Sequence, residues 1–156
     1  MEITNEKQLR AFLNTYVKQI MDKDVLNNIR DVEIKAINDV VYDVYTPIEY
    51  ERRYENEGLS DPNNIDGITK LVNGEICLEV GNYTMANPIT SDGMSMNSGE
   101  YLTPIIVEGS DYEYPFTYYG RPRNFIKRTR EYMAQDKQYL EKLKQGLKTK
   151  GFQIKR

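Results

Sequence analysis

Ile68–Val80 reads ITKLVNGEICLEV: two apolar-rich runs, Ile68–Val72 and Glu75–Val80, closed around Asn73-Gly74. Asn-Gly is a strong signal for a type I′ hairpin, because both central residues of that turn need positive φ. An antiparallel hairpin is predicted here, with helical patterns on either side. Upstream, Asn5 and Gln8 have capping-box spacing, and Leu9, Phe12, Leu13, Tyr16, Val17 and Ile20 recur at helical intervals. Val25, Ile29, Ala36, Ile37, Val40 and Val44 continue along one side. Pro47 disfavours helix at the residue before it, so the pattern is predicted to stop near Tyr45. The chain thus opens with two amphipathic helices, or with one long bent helix.

Downstream, Pro122 suits the first turn of a helix whose stripe is Phe125, Thr129, Tyr132 and Met133. Asp136 restarts or continues it, and Leu140, Leu143 and Leu147 follow at i, i+3, i+7. Gly151 is a natural C′ residue, after which Phe152–Arg156 alternates like a short terminal strand. Leu102–Val107 fits a strand or a short helix. Gly58–Asp66 (GLSDPNNID) is dense in turn formers, and Met85–Gly99 (MANPITSDGMSMNSG) lacks periodicity and reads as a loop. The expected fold is a single α+β domain over 1–156. It has N-terminal amphipathic helices, a small antiparallel sheet with the hairpin near Asn73-Gly74, C-terminal basic helices and a short terminal strand.

Histidine is absent and Cys77 is the only cysteine. That excludes imidazole and thiolate zinc sites, and Ser-His-Asp or Cys-His catalysis within the chain. No glycine-rich phosphate loop occurs. Asp61–Asp66 and Ser91–Glu100 lack the alternating oxygen donors of an EF-hand, and turn formation explains both. Glu75 and Glu79 on the hairpin lack the following Lys that a metal-dependent nuclease would want. A non-catalytic protein without cofactor or metal is expected. No apolar run approaches the ~18 residues of a membrane span and MEITNEKQLR is too polar for a signal peptide, so synthesis in the cytoplasm is expected. Cys77, on a strand, is expected to be a small buried hydrophobe.

Charge is divided unevenly. Arg121–Arg156 carries 12 Lys+Arg against 3 Asp+Glu, whereas the first 120 residues carry 9 against 21. Arg121, Arg123, Lys127, Arg128 and Arg130 fall on one predicted helix, and Lys142, Lys144, Lys148 and Lys150 on the next. Such a face is solvated, pairs with acidic residues of a neighbouring subunit, or contacts nucleic acid non-specifically. No helix-turn-helix, zinc finger or aromatic RNA-binding signature surrounds it. The aromatic area comes from 13 Tyr and 4 Phe without Trp, and Asp111–Tyr119 (DYEYPFTYY) concentrates it. Tyrosine offers an apolar ring with a hydroxyl for water or a partner, and is enriched at interfaces.

Two stretches together resemble the neck, or head–tail joining, proteins of long-tailed bacteriophages of Gram-positive hosts. Thr46–Ile65 (TPIEYERRYENEGLSDPNNI) matches a Thr-Pro and Tyr-x-Arg-Arg-Tyr run leading into Gly-Leu-x-Asp. Arg121–Arg156 matches an Arg-Pro helix opening, a second helix with Leu-x-x-Gly-Leu-x-x-x-Gly, and a basic end. Tyr50, Arg52, Arg53, Tyr54, Gly58, Leu59 and Asp61 fall on the first pattern. Arg121, Pro122, Phe125, Leu143, Gly146, Leu147 and Gly151 fall on the second, although Arg123 and Asn124 separate Arg-Pro from its Phe.

The resemblance implies a non-catalytic virion protein of the neck, assembled as a ring of copies between head-completion and tail-terminator proteins, with the genome in its lumen. Tyr50, Arg52, Arg53 and Tyr54 are the expected subunit or partner contact, since Arg and Tyr are over-represented at hot spots. The alternative is that the tyrosines pack locally and the arginines cap carboxylates. Arg121, Arg123, Lys127, Arg128, Arg130, Lys142 and Lys144 form the expected subunit- or DNA-facing basic helical face. A function of another class, a small accessory non-specific DNA-binding protein, uses the same face.

Overall fold

The computed structural model describes residues 4–44, 46, 52–86, 101–109 and 121–154. Tyr50, most of the 85–99 stretch, the tyrosine-rich 111–119 stretch and the last two residues lie outside them.

The N-terminal pattern forms one continuous helix. Asn5 caps it, its Oδ1 accepting from the Gln8 N–H at 2.9 Å, while Gln8 Oε1 accepts from the Thr4 N–H at 2.8 Å. α1 (Glu6–Ile20) passes through a π-helical turn, Met21–Val25, into α2 (Leu26–Ile37) and a second π-helical turn, Asn38–Tyr42. Met21, Leu26 and Asn38 all keep right-handed helical dihedrals across these junctions. At 1.5 Å per residue the rod is about 55 Å long. Each wide turn resets the apolar stripe, which would drift around a straight α-helix. Two clusters result: Ile20, Val25 and Ile29 near the first turn, and Ala36, Ile37 and Val41 near the second. Val44, expected to prolong the stripe, is exposed.

β1 (Ile65–Val72) and β2 (Glu75–Asn82) pair antiparallel, closed by Asn73 and Gly74 at φ 52° and 84°. Positive φ at both positions is the type I′ signature. Ile65, Gly67 and Thr69 pair with Asn82, Val80 and Leu78, and this face turns toward the rod. A Cβ on Gly67 would lie 3.1 Å from Leu26 Cδ1, so the strand rests directly on α2. Thr69 is buried and donates its hydroxyl to Asp22 of the first π turn. Cys77 is exposed, contrary to expectation. It pairs with Lys70 on the opposite face of the pleat, and only Ile76, Leu78 and Val80 alternate inward.

Leu102–Val107 resolves as helix: α3 (Leu102–Glu108) ends at Gly109, φ 70°, whose N–H reaches the Ile105 carbonyl. α4 (Phe125–Asp136) is capped by Asn124 Oδ1, which accepts from the Lys127 N–H at 2.8 Å. Pro122 is therefore not in its first turn, and Arg121 and Arg123 precede the helix. A left-handed Lys137 (φ 53°) links α4 to α5 (Gln138–Thr149), and Asp136 Oδ1 accepts from the Gln138 N–H. α4 lies along α2 while α5 lies along α1 and the first π turn, so the pair runs antiparallel to the rod.

α5 ends in a Schellman motif: the Gly151 N–H bonds the Lys148 carbonyl and the Phe152 N–H the Leu147 carbonyl. This capping directs Phe152 back onto α1, its ring 5.7 Å from Tyr16 and 6.2 Å from Phe12. The expected terminal strand is accordingly not formed in residues 152–154. Phe125, fully buried, joins Leu59, Ile65 and Ile106 against Ala36, Ile37 and Val41 in the main core.

Candidate interaction surfaces

Residues 52–65, the described part of the segment that carries the first resemblance apart from Thr46, pack at the C-terminal end of the rod. Arg52 Nη1 donates to the Tyr42 carbonyl at 2.6 Å, satisfying a helix end that would otherwise lack a partner, and its guanidinium lies 5.2 Å from the Tyr42 ring. Arg53 Nη2 donates to the Met85 carbonyl at 2.7 Å. Both of these bonds end on backbone carbonyls. Tyr54, at φ 47°, packs edge-on against Tyr42 with 4.7 Å between centroids and leaves 43% of its surface exposed. Tyr50 is outside the described residues.

Gly58 closes this turn, since a Cβ there would sit 2.2 Å from the Tyr54 carbonyl oxygen. Asp61 accepts from the Asn63 N–H (2.8 Å) and the Glu57 N–H (3.0 Å). These backbone donors, Asn63 first, hold its carboxyl below the ordinary value.

Asn82 ties this segment to the rod. Its Nδ2 donates to the Leu59 carbonyl (2.8 Å) and to Glu33 Oε1 (3.2 Å), and its Oδ1 accepts from the Thr84 hydroxyl (2.7 Å). Glu33 is 3% exposed, and burial pushes its carboxyl upward against the opposing Asn82 bond. The Thr103 hydroxyl donates to the Asn82 carbonyl, bringing α3 into the same network. A hint of this network was present in the sequence: Glu33 falls four residues from both Ile29 and Ile37 on an otherwise apolar stripe.

The expected basic face separates into individual roles along the rod. Arg123 is 7% exposed and not on that face. Its N–H bonds the Ile106 carbonyl and its own carbonyl accepts from the Phe125 N–H, so backbone pairing holds it under the surface. Arg128 pairs with Asp39 of the second π turn (3.7 Å) and Glu131 (3.2 Å), and Tyr132 donates to the same Asp39. Lys144 pairs with Glu141 at 2.6 Å. Arg121, Lys127, Arg130 and Lys142 are exposed, with no ion pair among the described residues.

Lys142 also lines a polar cleft that sequence reading missed. It has a volume of about 320 Å³ and lies between α5 and the junction of the first π turn with α2. Asp24, Asn27, Asn28 and Asp31 form one wall, and Gln145, Gly146 and Thr149 stand beside Lys142 on the other. Asp24 and Asp31 are seven residues apart, but only the course of the rod past α5 brings both to one opening.

Among the described residues no three His, Cys, Asp or Glu side chains gather as a metal site, and no helix is long and apolar enough to cross a membrane. Fold and surface define a small α+β protein: a helical rod braced by a helix pair, with a β-hairpin on it and distributed charge. The chain belongs to the YomN family, a phage-derived family of Bacillus prophage origin, whose model matches residues 5–149. No curated protein and no solved structure matches it.

Proposed function

We propose that this protein is a non-enzymatic structural subunit of a phage neck. Copies assemble as a ring that joins the head to the tail, contacting the adjacent head-completion and tail-terminator proteins, with the genome passing through the lumen. It needs no cofactor and no membrane.

The observation that carries this reading is where the neck-family positions fall. Gly58 is where a Cβ would meet the Tyr54 carbonyl, Gly146 is where α5 touches Ile20, and Gly151 is the left-handed residue of the Schellman motif. Backbone geometry favours glycine at Gly58 and Gly151, and the Ile20 side chain crowds out a Cβ at Gly146, so the resemblance follows the construction of the fold. The phage origin of the family supports it independently.

Deleting the gene from the phage tests the proposal. Accumulation of DNA-filled heads and separate finished tails, restored to joined particles by the gene in trans, is the expected result. Normally joined, infectious particles from the deletion overturn it.

The exposed cations Lys127, Arg130 and Lys142 favour a second reading, a small accessory DNA-binding protein. Tight binding of the isolated chain to arbitrary duplex DNA at low salt, lost steeply as salt rises, would support that reading over the first.

A further inference from the structure

We propose that the cleft between α5 and the first π turn is a receptor for two cationic side chains of a second copy, Arg130 and Lys137. The proposal rests on the ring reading above and names the contact between its subunits.

Three observations converge on the cleft. Asp24 and Asp31 stand in its wall, and neither has an ion pair among the described residues. Asn28 lies between them, 7% exposed, and its side-chain amide forms no hydrogen bond with any described residue. The polar atoms of that amide open to the cleft, where a group entering from outside can bond them. The acceptors at the opening, two carboxylates and the Asn28 carbonyl oxygen, suit ammonium and guanidinium donors. A lone Lys142 on the facing wall leaves this region net negative.

The second copy is identified by charge and spacing. Arg130 on α4 and Lys137 at its end are exposed and have no ion pair among the described residues. They are seven residues apart, as Asp24 and Asp31 are, which at helical rise places each pair about 10 Å apart. Neither cation lines its own cleft. The contact is therefore heterologous, cleft to ridge, and such contacts propagate into a ring when the rotation closes.

Charge reversal with the full-length chain tests this, followed by sedimentation at low salt across a concentration series. Asp24→Lys/Asp31→Lys and Arg130→Glu/Lys137→Glu should each stay monomeric where the unaltered chain associates. An equimolar mixture of the two should associate again, because each supplies the charge the other lacks. Unchanged melting of each variant alone shows that folding is intact. Association that persists in both variants overturns the cleft contact and leaves the ring reading standing. An unaltered chain that remains monomeric at every concentration and salt overturns the contact as well, while deletion of the gene still decides the neck role. An Asn28→Leu variant that associates as well as the unaltered chain also overturns it, since the amide in the cleft would then bond no guest.

Discussion

Gly146 of α5 stands against Ile20 of α1 so closely that a Cβ on the glycine would lie 2.5 Å from Ile20 Cγ2. This contact sets the distance at which the C-terminal helix pair docks on the rod, and Leu143 and Leu147 pack on the same cluster. An alanine in mid-helix normally gains about 1 kcal/mol over glycine. Here the crowding dominates, and Gly146→Ala is expected to destabilise by about 1–3 kcal/mol in urea unfolding. Trimming the neighbour in a Gly146→Ala/Ile20→Val double variant should cost less than the two single changes added together.

Glu33 gives stability a pH dependence. Its folded-state carboxyl is raised by burial, so its contribution is fully present below the unfolded value of 4.5 and is lost as pH rises through the folded value. Glu33→Gln keeps the shape and can still accept from Asn82. The variant should melt higher than the parent at pH 8, with the gap closing as pH falls toward 4.5. Equal gaps across that range would rule out the buried carboxyl as the source.

Asn82→Ala removes the donor shared by Leu59 and Glu33 and the acceptor used by Thr84. Leaving buried polar groups without partners costs about 1–3 kcal/mol each. A fall in the urea midpoint is expected, with amide exchange accelerating first around Leu59 and Thr84.

At the hairpin tip, Gly74 has φ 84° and nothing within 4 Å of a built Cβ. Strain alone therefore sets the effect of Gly74→Ala, about 1–2 kcal/mol. Asn73→Gly should be nearly neutral by the same measurement, since glycine tolerates the positive φ.

The exposed Cys77 should react with a thiol reagent in the native protein, one equivalent per chain, without denaturant. Protection until the chain unfolds would place it on the inner face and shift the strand register by one residue.

Much of the fold was legible in local chemistry. Asn73-Gly74 announced its turn, the helical stripes marked the rod, and Gly151 marked a helix end. Cys77 was misplaced because composition identifies a strand without saying which face of the pleat meets the core. Arg123 was misplaced because charge alone does not reveal that its backbone is claimed by Ile106 and Phe125. Residues 152–154 alternate like a strand, yet the cap that places Phe152 on Tyr16 depends on α1 lying nearby.

By itself, then, the sequence determined the kinds of element, the turn at Asn73-Gly74, the division of charge and the absence of imidazole chemistry. These follow from residue types and spacings a few positions long. Only the tertiary structure decided that the rod is continuous through two π turns, that Glu33 meets Asn82, and that Asp24 and Asp31 open beside Gln145. Those pairings join residues far apart in the chain, and packing between whole elements, which no short-range pattern encodes, selects them.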